Sequence, residues 1–258
     1  MALILWHRIF AKNKFISAWQ VHMIIFQDEA QRGNNMKALG EWTHGVWLLG
    51  RYDFFETGCW LLHHGGKAAL LEAPPYNPAM QWSPAHEAQR IAAELGVTVE
   101  YLLCTHAHHD HFHRKTHSEL AQAFPTAQTV LHEEFRSWLP HVSNIQYFTD
   151  AITLSLGGEP LHIVHAPKHS MSDSMVVFRG SVCTGDWELN TLKSAHDDKP
   201  RYSVPNRIKR QSVMKMTTFE RDYNYRVKTV YSAHANDFRE NIDFTWLMAD
   251  TGIDRPLW

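Results

Sequence analysis

The sequence predicts an α/β domain, and three observations carry that expectation. Strand-like runs alternate with helix signals along the chain after Met36. Several of these strands run directly into histidine or aspartate, which places ligand-type side chains along one edge of a sheet. The chain has 258 residues, 44% hydrophobic and 20% charged. That is a globular composition, long enough to bury a large core without staples.

The elements follow in order. Val46 to Leu49 and Thr57 to His63 are rich in aromatic and branched residues and are expected as strands. His63-His64-Gly65-Gly66 turns the chain into a third strand, Lys67 to Glu72. Ser83-Pro84 opens a helix, with a capping hydroxyl followed by a proline whose missing N–H costs nothing there. Gly96 closes that helix after Leu95. Val97 to Cys104 is an apolar strand leading into a histidine cluster. A helix is expected over 116–124 and a strand from Gln128 to Leu131. A polar stretch follows. Leu161 to His165, Met175 to Phe178 and Val182 to Thr184 are three short strands, and Pro205 to Thr218 is a helix. Val227 to Ser232 is the last strand, followed by a helix from about Phe238 to Met248.

Charge and cysteine content bound the function. The formal net charge is −2, which argues against a chain built to coat nucleic acid or an anionic membrane. The partner expected is a small-molecule substrate, with no nucleic acid and no membrane. Composition carries no signal for oligomeric state. Three cysteines at unrelated spacings form no disulfide framework, and a cytoplasmic location is expected.

Residues 1–35 read as an N-terminal extension, with the domain proper spanning 36–258. Asp28 is the first acid, and Arg8, Lys12 and Lys14 lie among apolar residues. The longest uncharged run there, Phe15 to Gln27, is too short to span a bilayer, which takes about 20 apolar residues. Such a basic, acid-free start is compatible with a targeting peptide, but it has no clean apolar stretch and no small-residue cleavage site.

The anomaly is histidine, 19 residues in all. Histidine is the commonest metal ligand. The densest cluster is His106-Ala107-His108-His109-Asp110-His111, an H-x-H-x-D-H pattern that composition alone would produce roughly 0.005 times. Imidazole nitrogen and carboxylate oxygen suit a borderline-soft divalent ion. In an extended segment, residues two apart point the same way. His106 and His108 can therefore hold one ion while His111 points elsewhere. A turn after His108 would free Asp110 and His111 for a second ion. Three distant groups could complete the site, each just past a strand: His169, Asp186 and His234. Asp186 suits a bridge between ions.

On these motifs the chain resembles the metallo-β-lactamase superfamily, in its binuclear branch, from about Glu41 to Met248. The resemblance implies an αββα four-layer sandwich of two mixed β-sheets flanked by helices, with the site at one edge of the sheets. It implies one ion held by His106, His108 and His169, a second held by Asp110, His111 and His234, and Asp186 as the bridge. The ions would be zinc, though iron and manganese suit the same ligands. The implied activity is that of a hydrolase. A hydroxide held between the two ions attacks a small ester, lactone, thioester or amide, with Asp110 and Asp186 fixing the ions and orienting it. Arg114, Lys115 and Tyr202 are candidate substrate contacts. Tyr223 and Tyr225 lie in the same segment as Tyr202.

The chain departs from the family pattern at four places. Phe112 to His117 stands where Gly-Gly is common, and Glu72-Ala73-Pro74 where Asp-Thr-Gly is common. Pro167-Lys168-His169 replaces Pro-Gly-His, and Ala233-His234-Ala235 replaces Gly-His-Gly. The 24 residues after His234 are too few for the helical domain of the glyoxalase-II-like thioesterases. The 47 residues between Asp186 and His234 leave no room for the insert of the RNA-processing branch. Asp186 argues against antibiotic hydrolysis as the main activity. Two other readings use the same ligands: a mononuclear-iron sulfur dioxygenase, and a metal-binding protein without catalysis.

Overall fold

The computed structural model describes residues 38–257 other than 80, 138 and 140–143, so the expected extension over 1–35 lies outside the described residues. Two mixed sheets are stacked face to face. The first contains β1 (Gly40–Thr43), β2 (Val46–Tyr52), β3 (Thr57–His64), β4 (Lys67–Leu71), β5 (Thr98–Leu103), β6 (Gln128–His132) and β7 (Ile145–Phe148), paired in that order. β1 to β4 form an antiparallel meander, and β4 to β7 run parallel. The second contains β8 (Ala151–Leu156), β9 (Glu159–His165), β10 (Ser174–Phe178), β11 (Ser181–Cys183), β12 (Thr229–Tyr231) and β13 (Phe238–Glu240), paired from β13 back to β8. Only β11 and β12 are parallel.

Period-two alternation builds the layers. In β3, Trp60 and Leu62 point into the space between the sheets, where they meet Ile163, Val176, Phe178 and Tyr231 of the second sheet. Leu61 points the other way. It packs with Leu70 and Leu102 under α1 (Pro84–Leu95) and α2 (Arg114–Ala123), through Ala88, Ile91 and Leu120. The outer face of the second sheet, with Val164, Val177, Val182 and Val230, lies under α3 (Asn206–Asp222) and α4 (Phe244–Thr251), through Met216, Phe219, Phe244 and Met248. Central strands are buried on both faces and therefore read as apolar runs rather than alternating ones. The result is the αββα sandwich that the sequence led us to expect. No helix among the described residues is long and apolar enough to cross a membrane.

Local signals act as anticipated at α1. Ser83 accepts the N–H of His86, and Gly96 closes the helix with φ of 63°. Gly65 and Gly66 both take positive φ in the turn between β3 and β4, as a tight hairpin there requires. Two expectations are corrected. Residues 238–240 are a strand, and the last helix begins only at Phe244, capped by Asp243, whose carboxylate accepts the N–H of Trp246. The polar stretch after Leu131 contains a 3-10 turn and two strands, β7 and β8.

Candidate metal centre

The site forms where four strands end on one edge of the sandwich. β5 runs into the Cys104–Phe112 loop, which turns immediately after His108. The carbonyl of His108 accepts the N–H groups of His111 (3.0 Å) and Phe112 (2.8 Å). β9 leads to the loop that carries His169. There one Asp173 carboxylate oxygen accepts three successive backbone N–H groups, from Lys168, His169 and Ser170, at 2.7–2.9 Å. β11 ends before Thr184-Gly185-Asp186. β12 ends before His234, whose loop is braced where Ala233 donates to the Gly185 carbonyl at 3.0 Å. Trp60 Nε1 donates to the Ala233 carbonyl at 3.2 Å. A Cβ on Gly58 would stand 2.8 Å from that same carbonyl oxygen, so glycine is what lets β3 approach the His234 loop.

These loops bring the seven anticipated side chains into two adjoining sets: His106, His108 and His169, and Asp110, His111, Asp186 and His234. Within each set, one ligand-type atom per residue lies within 4.8 Å of every other. Asp186 Oδ2 faces both. It lies 3.2 Å from His111 Nε2 and from His234 Nε2, 3.7 Å from His169 Nε2 and 3.9 Å from His106 Nε2. His108 turns its Nδ1 inward, 3.1 Å from His106 Nε2 and 3.2 Å from His169 Nε2.

The outward ring nitrogens show how the imidazoles are aimed. His234 donates Nδ1–H to the Phe55 carbonyl at 2.8 Å. His106 Nδ1 lies 3.1 Å from Thr105 Oγ1, and that hydroxyl donates in turn to Glu72. His111 Nδ1 is buried without a hydrogen bond, 3.6 Å from the same Glu72 carboxylate. His169 Nδ1 is likewise buried and unpartnered, 3.8 Å from Glu188. Carbonyls, hydroxyls and carboxylates behind imidazoles are the usual supports of metal-binding histidines.

Electrostatics divides the candidate ligands: burial would lower His111, His169 and His234, but Asp186 and, for His169, Glu188 outweigh it and raise all three. Burial, reinforced by neighbouring imidazoles, pushes His106 well below its ordinary value and His108 down to about 3. Both are therefore neutral, the form that binds metal. Burial would push the Asp186 carboxyl up, but His111 and His234 outweigh it and hold that carboxyl well below the usual range. An ionised carboxylate with its second oxygen, Oδ1, buried and without a partner suits a bridging ligand. The donor set therefore fits a two-ion site in residue type and in proximity.

The candidate substrate contacts fare differently. Tyr202 stands beside the first set, its ring 6.3 Å from that of His108. Arg114 is exposed at the start of α2. Lys115 turns to Glu119 at 3.8 Å and to the face of Tyr76 at 5.6 Å. Tyr223 and Tyr225 instead enclose His162, at 4.9 and 5.1 Å between ring centres, and pack with Phe219 of α3. Sequence reasoning passed over His196, whose ring lies 4.3 Å from His169 and 5.1 Å from His108. It also passed over the supporting roles of Glu72, Asp173 and Glu188. Glu72 and Lys168 had a signal, since both stand where the family pattern differs.

His117, close to the motif in sequence, has another job. It is buried, it pairs with Thr129 Oγ1 at 2.9 Å, and its ring lies 4.9 Å from that of Phe112. Burial pushes it down to about 4. Between that value and an unfolded value near 6.5, the unfolded chain binds a proton that the folded one refuses. Stability is therefore retained above about pH 6.5 and lost as the pH falls towards 4, by up to about 3 kcal/mol from this residue. Denaturant titrations of wild type and His117→Gln across that range should show a shallower pH dependence in the variant.

The sequence matches no protein-family model and no curated protein. The likeness to known proteins appears in three dimensions. A metallo-beta-lactamase from Pontibacter korlensis matches with a TM-score of 0.59 at 15% identity, over 83% of this chain and 96% of that one. A metallo-beta-lactamase family protein from Thermus thermophilus matches with a TM-score of 0.57 at 17% identity, over 82% and 79%. ETHE1 from Myxococcus xanthus matches with a TM-score of 0.54 at 16% identity, over 78% and 82%. The chain thus has the metallo-β-lactamase fold, with two ligand sets for metal at the sheet edge.

Proposed function

We propose that the protein is a hydrolase with a binuclear metal centre, acting on a small ester, lactone, thioester or amide. One observation carries this reading: Asp186 Oδ2 stands within 4 Å of ligand nitrogens from both sets. His106, His108 and His169 would hold one ion, Asp110, His111 and His234 the other, and Asp186 would lie between them. Two divalent ions bound there supply a water acidified towards pKa ~7 and positive charge for a developing oxyanion. Zinc is the expected metal for this imidazole–carboxylate set.

The remaining roles belong to the chain's own side chains. Asp110 and Asp186 orient the attacking water. Tyr202 and His196 wall the side of the first set, where a substrate carbonyl would lie. Arg114, exposed near the motif at the head of α2, would attract an anionic substrate group, and Lys115 could join it only by leaving Glu119 and Tyr76. The complete second set favours hydrolysis over single-iron oxygen chemistry, which would leave that set idle. Cys59, Cys104 and Cys183 are free and buried, in keeping with a cytoplasmic location.

The test is a panel of small esters, lactones, thioesters and amides assayed with zinc-loaded protein. Hydrolysis that disappears on chelation and returns with zinc is the expected result. A rate that survives removal of the metal would sink the proposal.

A further inference from the structure

Behind His169 lies an ion pair between a buried lysine and a partly exposed glutamate that the proposed chemistry does not use. The Lys168 side chain is 0% exposed, and its ammonium donates to Glu188 Oε2 at 3.0 Å and to the Lys193 carbonyl at 2.8 Å. It also faces the ring of Trp187, 5.7 Å away. Glu188 Oε1 accepts the N–H of Ala195 at 2.7 Å. Such a pair is weak evidence for stability, because desolvation of the lysine offsets much of the attraction. Its location suggests another use.

His169 is stretched between the ligand sets and Glu188. Its Nε2 lies 3.2 Å from His108 Nδ1 and 3.7 Å from Asp186 Oδ2. Its Nδ1 is buried without a hydrogen bond, and Glu188 Oε1 is 3.8 Å away, just outside hydrogen-bond length. A neutral imidazole carries one N–H. If Nε2 offers its lone pair to a metal, the proton sits on Nδ1 and needs an acceptor. His196 covers the ring at 4.3 Å, and Asp173 anchors the backbone on either side of it. The imidazole is therefore confined, with one carboxylate behind it.

We propose that Glu188, held by Lys168, is the positioning residue for His169: it accepts Nδ1–H and so keeps Nε2 free to bind metal. The proposal rests on the reading of His169 as a ligand. Lys168 sits next to the ligand in sequence, so one short segment delivers both the imidazole and the cation that fixes its support. The carboxylate's two oxygens divide the work, Oε2 for the ammonium and Oε1 for the N–H groups.

Two measurements test it. Zinc is titrated into metal-free protein against a chromogenic chelator, for wild type, Glu188→Gln and the double variant Lys168→Met/Glu188→Leu. The double variant removes both charges and so avoids the unpaired buried lysine that Glu188→Gln leaves. In either variant that folds, one of two zinc affinities should fall roughly 10- to 100-fold, with the other unchanged. On the zinc-loaded wild type, nitrogen-15 NMR of the histidine rings should show His169 protonated at Nδ1, with that proton shifted downfield and protected from exchange. Wild-type zinc affinities in the double variant, or a His169 protonated at Nε2, overturn the proposal and leave the two-ion site standing or not on its own stoichiometry. A wild-type chain that binds no zinc overturns the ligand reading and this proposal together.

Discussion

Replacing Asp186 with asparagine should strip metal from both candidate ligand sets and lower the proposed hydrolysis by more than about a hundredfold. Groups that merely support a metal ligand typically cost 10- to 100-fold, and Asp186 is placed to do more. Its Oδ2 lies within 4 Å of nitrogens from His106, His169, His111 and His234. The amide has nearly the same volume but no charge, so the proposed pair of ions and the four imidazoles around it would lose their shared counter-ion. Asp110→Asn provides the contrast. Asp110 Oδ2 lies 3.5 Å from His111 and 3.8 Å from His234, both in the second set. That variant should lose one ion and keep the other. Metal content of the two purified variants, measured beside that of wild type, decides. An Asp186→Asn protein that keeps two ions and full activity would refute the bridge.

Glu72→Ala should be the most damaging substitution outside the ligands. Glu72 is 1% exposed. One carboxylate oxygen accepts from the Thr105 hydroxyl and from the Thr105 N–H at 3.3 Å, and the other accepts from Cys104 Sγ at 2.8 Å. Every group around it is a donor, so removing the carboxylate strands several buried polar atoms at once. Breaking a buried network of this kind costs about 3–5 kcal/mol, or roughly 6–20 °C in Tm for a domain of this size. The same variant loosens two candidate ligands, His106 through Thr105 and His111 by removing the carboxylate 3.6 Å behind its Nδ1, so zinc affinity should fall in both sets. Glu72→Gln keeps the shape but turns an N–H towards one of those donors. It should fall between alanine and wild type, as thermal melts with and without zinc would show. A Glu72→Ala protein as stable as wild type would remove Glu72 from the account.

What could be read from the sequence follows a physical division. The seven candidate ligands were legible because four of them share one loop, His106 to His111, and the others stand just past strands whose apolar character is strong. The central strands were legible for the same reason, as in β3 and β10, where burial on both faces leaves unbroken apolar runs. The four strands that escaped, β1, β7, β8 and β13, are the four sheet edges. Edge strands are half solvated, and Phe238–Glu240 is too short and charged to keep an apolar pattern, whereas Ala151–Leu156 does alternate Ile152, Leu154 and Leu156 towards the core and was passed over within a polar stretch. Arg239 illustrates the difficulty: it pairs with Asp237 on its own strand's approach, and the segment therefore reads as a charged helix start. The supports behind the imidazoles were hidden for another reason. Glu72 reaches His111 and Glu188 reaches His169 only through tertiary folding, and nothing in local spacing marks such partners. The turn after His108 is required by the ligand assignment but is not dictated by local spacing. Strict alternation would have sent Asp110 to the first ion, and two hydrogen bonds to the His108 carbonyl are what redirect it.

The most direct test of the central claim is the metal content of the purified, zinc-equilibrated protein, measured by inductively coupled plasma mass spectrometry. The account predicts close to two ions per chain. One ion or none per chain would contradict it.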